Sequence, residues 1–151
     1  MAEINFINSG KKITTNDVEN VERGFNIQLP KEYKDFLLRT NGGRPDKLFF
    51  SKDSSDYVLN EFFPLSNSPF SFEQYFSDFR VDQNILSKSL APIAEDAFGN
   101  LICISIGKND YGYIYFLDHE SSNREDINGT STRLIATDFN SFLDMLKNDN
   151  D

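Results

Sequence analysis

The sequence predicts an α+β fold: a central, mostly antiparallel sheet of about six strands, with N-terminal helices and a C-terminal helix packed against it. Three observations predict it. Apolar residues recur at helical spacing between residues 14 and 41, fall into short strand-like runs from residue 90 onward, and return to helical spacing after residue 138. The length of 151 residues suits one domain, taken as residues 1–151. A chain of this size buries about two thirds of its unfolded surface, so its core needs neither disulfides nor a structural metal.

After a Met1–Lys12 lead carrying Ile4, Phe6 and Ile7, Thr14 or Thr15 can cap a first helix, with Asp17 placing favourable charge in its first turn. Val18, Val21 and Phe25 form its apolar stripe, and Gly24 is read as its stop. Leu29-Pro30 opens a second helix, since Pro is tolerated where its missing N–H has no partner to lose. Tyr33, Phe36, Leu37 and Thr40 share one face, with Lys31, Glu32, Lys34 and Asp35 outside. Asn41-Gly42-Gly43 ends it, and Pro45 prevents re-entry into helix.

Two short strands, Lys47–Ser51 and Tyr57–Phe63, flank a polar turn at Asp53–Asp56, and Pro64 to Pro69 is a loop. Ser71 caps a third helix with Phe72, Tyr75, Phe76 and Phe79 on a buried face. Leu90–Glu95, Asn100–Ile106 and Tyr113–Asp118 are strands joined by turns at Asp96–Gly99 and Gly107–Gly112. A second turn centred between Asn109 and Asp110 sets Ile102, Ile104 and Ile106 opposite Leu117, Tyr115 and Tyr113, and Cys103 opposite Phe116. Both faces are largely apolar, so these are expected to be central strands. Ser121–Thr132 is a polar loop with an Asn128-Gly129 turn signal, and Arg133–Ala136 is the last strand. Thr137 or Asp138 caps a closing helix with Phe139, Phe142, Leu143 and Leu146 on one face, and the tail from Lys147 is expected to fray.

The net charge is −9, unevenly placed. Residues 1–50 hold seven acids and eight bases, and residues 51–151 hold seventeen acids and seven bases. Such a surface repels phosphate backbones, which argues against nucleic-acid binding. It attracts a basic protein partner, or it serves solubility alone. No apolar run approaches the ~20 residues of a membrane span, and the first residues lack the basic flank and apolar stretch of a signal peptide. The expected location is therefore the cytoplasm.

Chemistry is sparse. One Cys (Cys103) and one His (His119) exclude a Cys/His zinc cage, and a lone Cys cannot form an internal disulfide. The two sit ~10 Å apart along the predicted strand pair and point to opposite faces, which does not suit a nucleophile and its base. No glycine pattern cradles phosphate. The acidic pairs Glu95-Asp96 and Asp118/Glu120 belong to turns and strand ends and lack calcium-loop spacing. No nucleophile, base and orienting group come together, so the expectation is a protein without catalytic activity, cofactor or metal.

Three stretches in order resemble the SUKH superfamily. Leu29-Pro30-Lys31-Glu32-Tyr33-Lys34-Asp35-Phe36-Leu37-Leu38-Arg39-Thr40-Asn41-Gly42-Gly43, with Pro45, is similar to its helical signature. Leu90-Ala91-Pro92-Ile93-Ala94-Glu95-Asp96-Ala97-Phe98-Gly99-Asn100-Leu101-Ile102-Cys103-Ile104 is similar to its hairpin, and Tyr113–Glu120 to its following strand, with Leu117 where Trp is common. The closing helix also matches, so the resemblance runs from about Thr14 to Leu146 and is weakest over Lys47–Ser89.

The superfamily includes a yeast cell-wall-synthesis regulator and many bacterial immunity proteins. The resemblance to the toxin-immunity branch implies an antitoxin that binds and neutralises a polymorphic or contact-dependent bacterial toxin. A basic nuclease is one such toxin. The alternative implied by the yeast relative is a cytosolic scaffold or signalling regulator acting by protein–protein binding. Leu29, Pro30, Tyr33, Phe36, Leu37, Asn41, Gly42, Gly43, Gly99 and Asn100 then read as structural signature residues: core, backbone punctuation, and loop anchors. The toxin-binding surface is expected on the acidic β half, at Asp53, Asp56, Glu61, Glu95, Asp96, Asp110, Asp118 and Glu120. Tyr57, Phe62 and Tyr111 are its expected aromatic anchors.

Overall fold

The computed structural model describes residues 4–82, 89–118 and 132–149. His119, Glu120 and residues 121–131 of the predicted Ser121–Thr132 loop, with its Asn128-Gly129 turn, lie outside the described residues, and Thr132 opens the last strand. The order is β1 (Phe6–Ile7), α1 (Thr15–Phe25), α2 (Lys31–Arg39), β2 (Arg44–Pro45), β3 (Phe49–Lys52), β4 (Ser55–Phe62), α3 (Phe72–Phe76), β5 (Leu90–Asp96), β6 (Leu101–Ser105), β7 (Ile114–Leu117), β8 (Thr132–Ala136) and α4 (Phe139–Met145). Strands β3 to β8 form a six-stranded antiparallel sheet in sequence order, and β1 pairs with β2. The predicted α+β class and six-strand sheet are what the chain adopts; the β1–β2 pair is an addition, made of segments too short to show a strand period.

Helix α1 starts where a reciprocal cap forms: the Asp17 amide donates to Thr14 Oγ1 (3.3 Å), and the Thr14 amide donates to the Asp17 carboxylate (2.8 Å). It ends at Phe25, one residue beyond Gly24. Asn26 takes the left-handed conformation (φ 58°), while its amide donates to the Arg23 carbonyl and the Ile27 amide to the Glu22 carbonyl. Keeping Phe25 helical lets its ring reach Phe76, 4.4 Å between centroids, which is why Gly24 is not the stop.

Helix α2 buries Tyr33, Phe36 and Leu37, and its Phe36 ring joins three other elements. Its centroid lies 5.4 Å from Phe6, 5.1 Å from Phe62 and 5.0 Å from Phe139. Emptying such a site costs about 3–5 kcal/mol. Gly42 and Gly43 do more than stop the helix. A Cβ on Gly42 would sit 2.7 Å from the Pro64 nitrogen, and one on Gly43 2.7 Å from the Ile7 carbonyl oxygen, so only bare backbone lets these segments meet. Gly43 also exchanges hydrogen bonds with Phe62, joining the small sheet to β4.

The β3–β4 turn is two residues, Asp53 and Ser54, both with positive φ (51° and 69°), so Asp56 lies in β4 opposite Ser51. Ser71 caps α3 through the Gln74 amide (3.1 Å), and the chain continues as π-helix over Ser77–Asp82.

The β6–β7 register is one residue from the predicted one. Leu101, Ile102, Cys103 and Ile104 face Leu117, Phe116, Tyr115 and Ile114. The Ser105 amide donates to the Tyr113 carbonyl, which leaves an odd loop centred on Asn109, closed by Gly112 at φ 90°. Sequence periodicity could not choose between the registers because both faces are apolar. Asp138 caps α4, its carboxylate accepting from the Ser141 amide (2.7 Å). Contrary to the expected fraying, Lys147 is held: it exchanges backbone hydrogen bonds with Phe49 on the β3 edge (2.8 and 3.1 Å).

Candidate functional site

Strand directions sort the predicted toxin-binding residues to two ends of the sheet. The β3–β4 turn, the β5–β6 turn and the end of β7 point one way, carrying Asp53, Asp56, Glu95, Asp96 and Asp118. The β6–β7 loop with Asp110 and Tyr111 lies at the opposite end, four residues or ~13 Å further along β6. One continuous surface through all of them is therefore not what the fold presents. Glu120 lies outside the described residues.

Three predicted contact residues are interior. Phe62 is fully buried against Phe36. Tyr57 is buried, stacked on Phe50 at 4.9 Å and packed against Phe116 at 4.8 Å, with its hydroxyl accepting from Arg133 (3.2 Å). The β3–β4 hairpin runs past the β5–β6 turn and curls over the sheet, and this brings Tyr57 to β7. Asp96 is 4% exposed, and its carboxylate accepts from the Phe98 amide (2.8 Å), the Asn100 amide (2.8 Å) and Asn100 Nδ2 (3.0 Å). It builds the turn, as Asp does for local hydrogen-bonding reasons. These three are corrected to structural roles.

The remaining candidates reach solvent to different degrees. Asp53 and Asp56 are exposed, Asp56 accepting from Ser51 Oγ (2.6 Å). Glu61 and Asp118 are half-buried. Glu95 accepts from Asn60 Nδ2 (3.1 Å) and the Tyr75 hydroxyl (3.3 Å). Asp110 staples its own loop, accepting from Ser105 Oγ and the Tyr115 hydroxyl, each at 2.5 Å. Tyr111 is half exposed, and its hydroxyl donates to the Gln28 carbonyl (2.9 Å), tying this loop to the α1–α2 connection.

Sequence reasoning missed Phe98. It stands at the tip of the β5–β6 turn and is 72% exposed, more than any other large apolar side chain among the described residues. A signal was available: an apolar residue inside a turn has no strand face on which to bury itself.

Leu29, Pro30, Tyr33, Phe36, Leu37, Asn41, Gly42 and Gly43 are buried, and Gly99 takes φ 86° in the turn that Asn100 closes. A groove of about 520 Å³ runs between α1 and α2, lined by both signs of charge. Its buried Glu22 accepts from the Leu29 amide (2.7 Å) and pairs with Lys34 (3.6 Å). That carboxylate is committed to holding α2 on α1.

Cys103 is fully buried between Ile102 and Ile104, and burial pushes its thiol well above the ordinary range, so it is the opposite of an activated nucleophile. Among the described residues, no three His, Cys, Asp or Glu side chains gather as a metal site, and no helix is long and apolar enough to cross a membrane.

The sequence matches the model of the SMI1 / KNR4 family (SUKH-1) over residues 12–145. It is also similar to the SPbeta prophage-derived uncharacterized protein YokK of Bacillus subtilis (strain 168): 29% identical over 153 residues, covering 87% of this chain and 73% of that protein.

Proposed function

Because the chain belongs to the SMI1 / KNR4 family (SUKH-1), we propose that it is an immunity protein, one that binds a cognate polymorphic or contact-dependent toxin in the cytoplasm and neutralises it without catalysis. The family match across residues 12–145 carries this reading. Similarity to a protein described as prophage-derived fits it.

The charge favours one kind of toxin. With seventeen acids against seven bases after residue 50, the β half attracts a basic partner, and a nuclease whose groove must hold phosphates is the chemistry that fits best. Asp53, Asp56, Glu95 and Asp118 sit toward one end of the sheet, and the loops there can vary in sequence without disturbing the core.

The test begins with the adjacent gene: a toxin domain encoded there is co-expressed with this protein, and the absence of one counts against the immunity reading. We expect protected cells, a stable complex on co-purification, and an affinity that falls as salt rises. Reversing charge at Asp53, Asp56 and Asp118 together should weaken the complex while the protein stays folded. Cells that die despite abundant folded protein, with no complex formed, would refute the immunity reading. An affinity indifferent to both salt and charge reversal would refute the electrostatic part.

A further inference from the structure

We propose that Phe98 is the aromatic anchor of the toxin-docking surface, inserting into an apolar pocket on the toxin whose rim is basic; this rests on the immunity reading above. The β5–β6 turn is built to hold that side chain out. Asp96, 4% exposed, spends its carboxylate on the amides of Phe98 and Asn100 and on the Asn100 side chain. The Asp96 amide donates to the Asn100 carbonyl (2.9 Å), the Ala97 amide donates to the Val58 carbonyl on β4 (2.8 Å), and Gly99 takes φ 86°. Every backbone segment around Phe98 is thus fixed from within the turn or from the neighbouring strand.

Phe98 itself gains little from folding, because a ring 72% exposed leaves most of its apolar area in water. Single exposed apolar residues are ordinary on strands, as Ile7 and Leu134 are here. A Phe on a turn this tightly held is different: it loses little conformational freedom on binding, which is what makes an aromatic residue an effective anchor.

The neighbouring charge selects the partner. Val58, which holds Ala97, is two residues from exposed Asp56, and Asp118 follows Leu117, whose strand partner Leu101 adjoins the turn. The turn that carries Phe98 therefore lies between the β4 segment bearing Asp56 and the end of β7 bearing Asp118. A second copy docking through the same tip would bring these acids against their own kind on a chain of net charge −9, whereas a basic-rimmed pocket is complementary to them.

The chain of 151 residues and the toxin domain identified by that co-expression test are the reagents. Titration calorimetry compares the natural protein with Phe98→Ala, Phe98→Trp and the exposed control Ile7→Ala. We expect Phe98→Ala to weaken binding about thirty-fold or more, chiefly through faster dissociation, with an unchanged circular dichroism spectrum and melting midpoint. Phe98→Trp and Ile7→Ala should stay within a few-fold of the natural protein. If the natural protein binds and Phe98→Ala binds within two-fold of it, the anchor assignment fails and the immunity reading stands. If the natural protein does not bind the toxin domain, both fail. If sedimentation shows a dimer that Phe98→Ala dissociates, the pocket belongs to a second copy and the proposal is overturned.

Discussion

The side chain of Asn41 pairs with the backbone of Leu65 as a strand would. Its Oδ1 accepts from the Leu65 amide (2.8 Å) and its Nδ2 donates to the Leu65 carbonyl (2.9 Å), while Nδ2 also donates to the Lys11 carbonyl (2.9 Å). Asn41 is 3% exposed, so one side chain joins the N-terminal lead, the end of α2 and the loop after β4. Asn41→Ala should cost about 3 kcal/mol, since the Leu65 amide and carbonyl are left buried without partners. Asn41→Asp should cost at least as much at neutral pH, because a carboxylate oxygen then faces two carbonyls. Urea denaturation measures both, and a loss under 1 kcal/mol for each would contradict the bridging role.

Gly24 lies inside α1 with open space around the position a Cβ would take. Gly24→Ala should therefore stabilise the protein by about 0.5–1 kcal/mol, by lowering the entropy of the unfolded chain and suiting the helix. A decrease in the melting midpoint would mean that the helix ends earlier than Asn26.

Tyr33 is fully buried against Phe36, Phe72 and Phe139, and its hydroxyl makes no hydrogen bond among the described residues. Burial first, then the Glu73 carboxylate, holds that phenol well above its ordinary range. Tyr33→Phe removes an unsatisfied buried hydroxyl and should be neutral or stabilising, by about 1 kcal/mol at most. Tyr33→Ala should cost about 3–5 kcal/mol for the cavity. A large loss in the Phe variant would reveal a partner for the hydroxyl.

Tyr75 and Tyr115 are pushed up to about 12, each by burial first and then by a neighbouring carboxylate, Glu95 for Tyr75 and Asp110 for Tyr115. An unfolded chain ionises its tyrosines near 10, so it releases these protons before the folded chain does. The stability they contribute is present below pH ~10 and is lost as the pH climbs from there to about 12. Tyrosinate absorbance of the folded protein should show a late titrating fraction, which Tyr75→Phe and Tyr115→Phe each reduce. A single native titration step near the ordinary value would contradict these environments.

Much of this protein is determined by local sequence. Helical spacing and cap signals at Thr14 or Thr15, Ser71, and Thr137 or Asp138 placed three helix starts to within a residue, because an N-cap is satisfied within three residues of itself; the caps are Thr14, Ser71 and Asp138. The tripartite resemblance around Leu29–Pro45, Leu90–Ile104 and Tyr113–Glu120 pointed to the family before any geometry, since those residues read as core, turns and loop anchors.

Only the tertiary structure decided three things. It set the β6–β7 register, because two apolar faces give periodicity nothing to choose between. It decided which aromatics are inside: Tyr57 and Phe62 looked available from their acidic surroundings, yet the hairpin curl and the Phe36 cluster bury them, while Phe98 is turned outward. And it divided the acids of the β half between two ends of the sheet, because strand direction, which carries no local signal, decides which turns become neighbours.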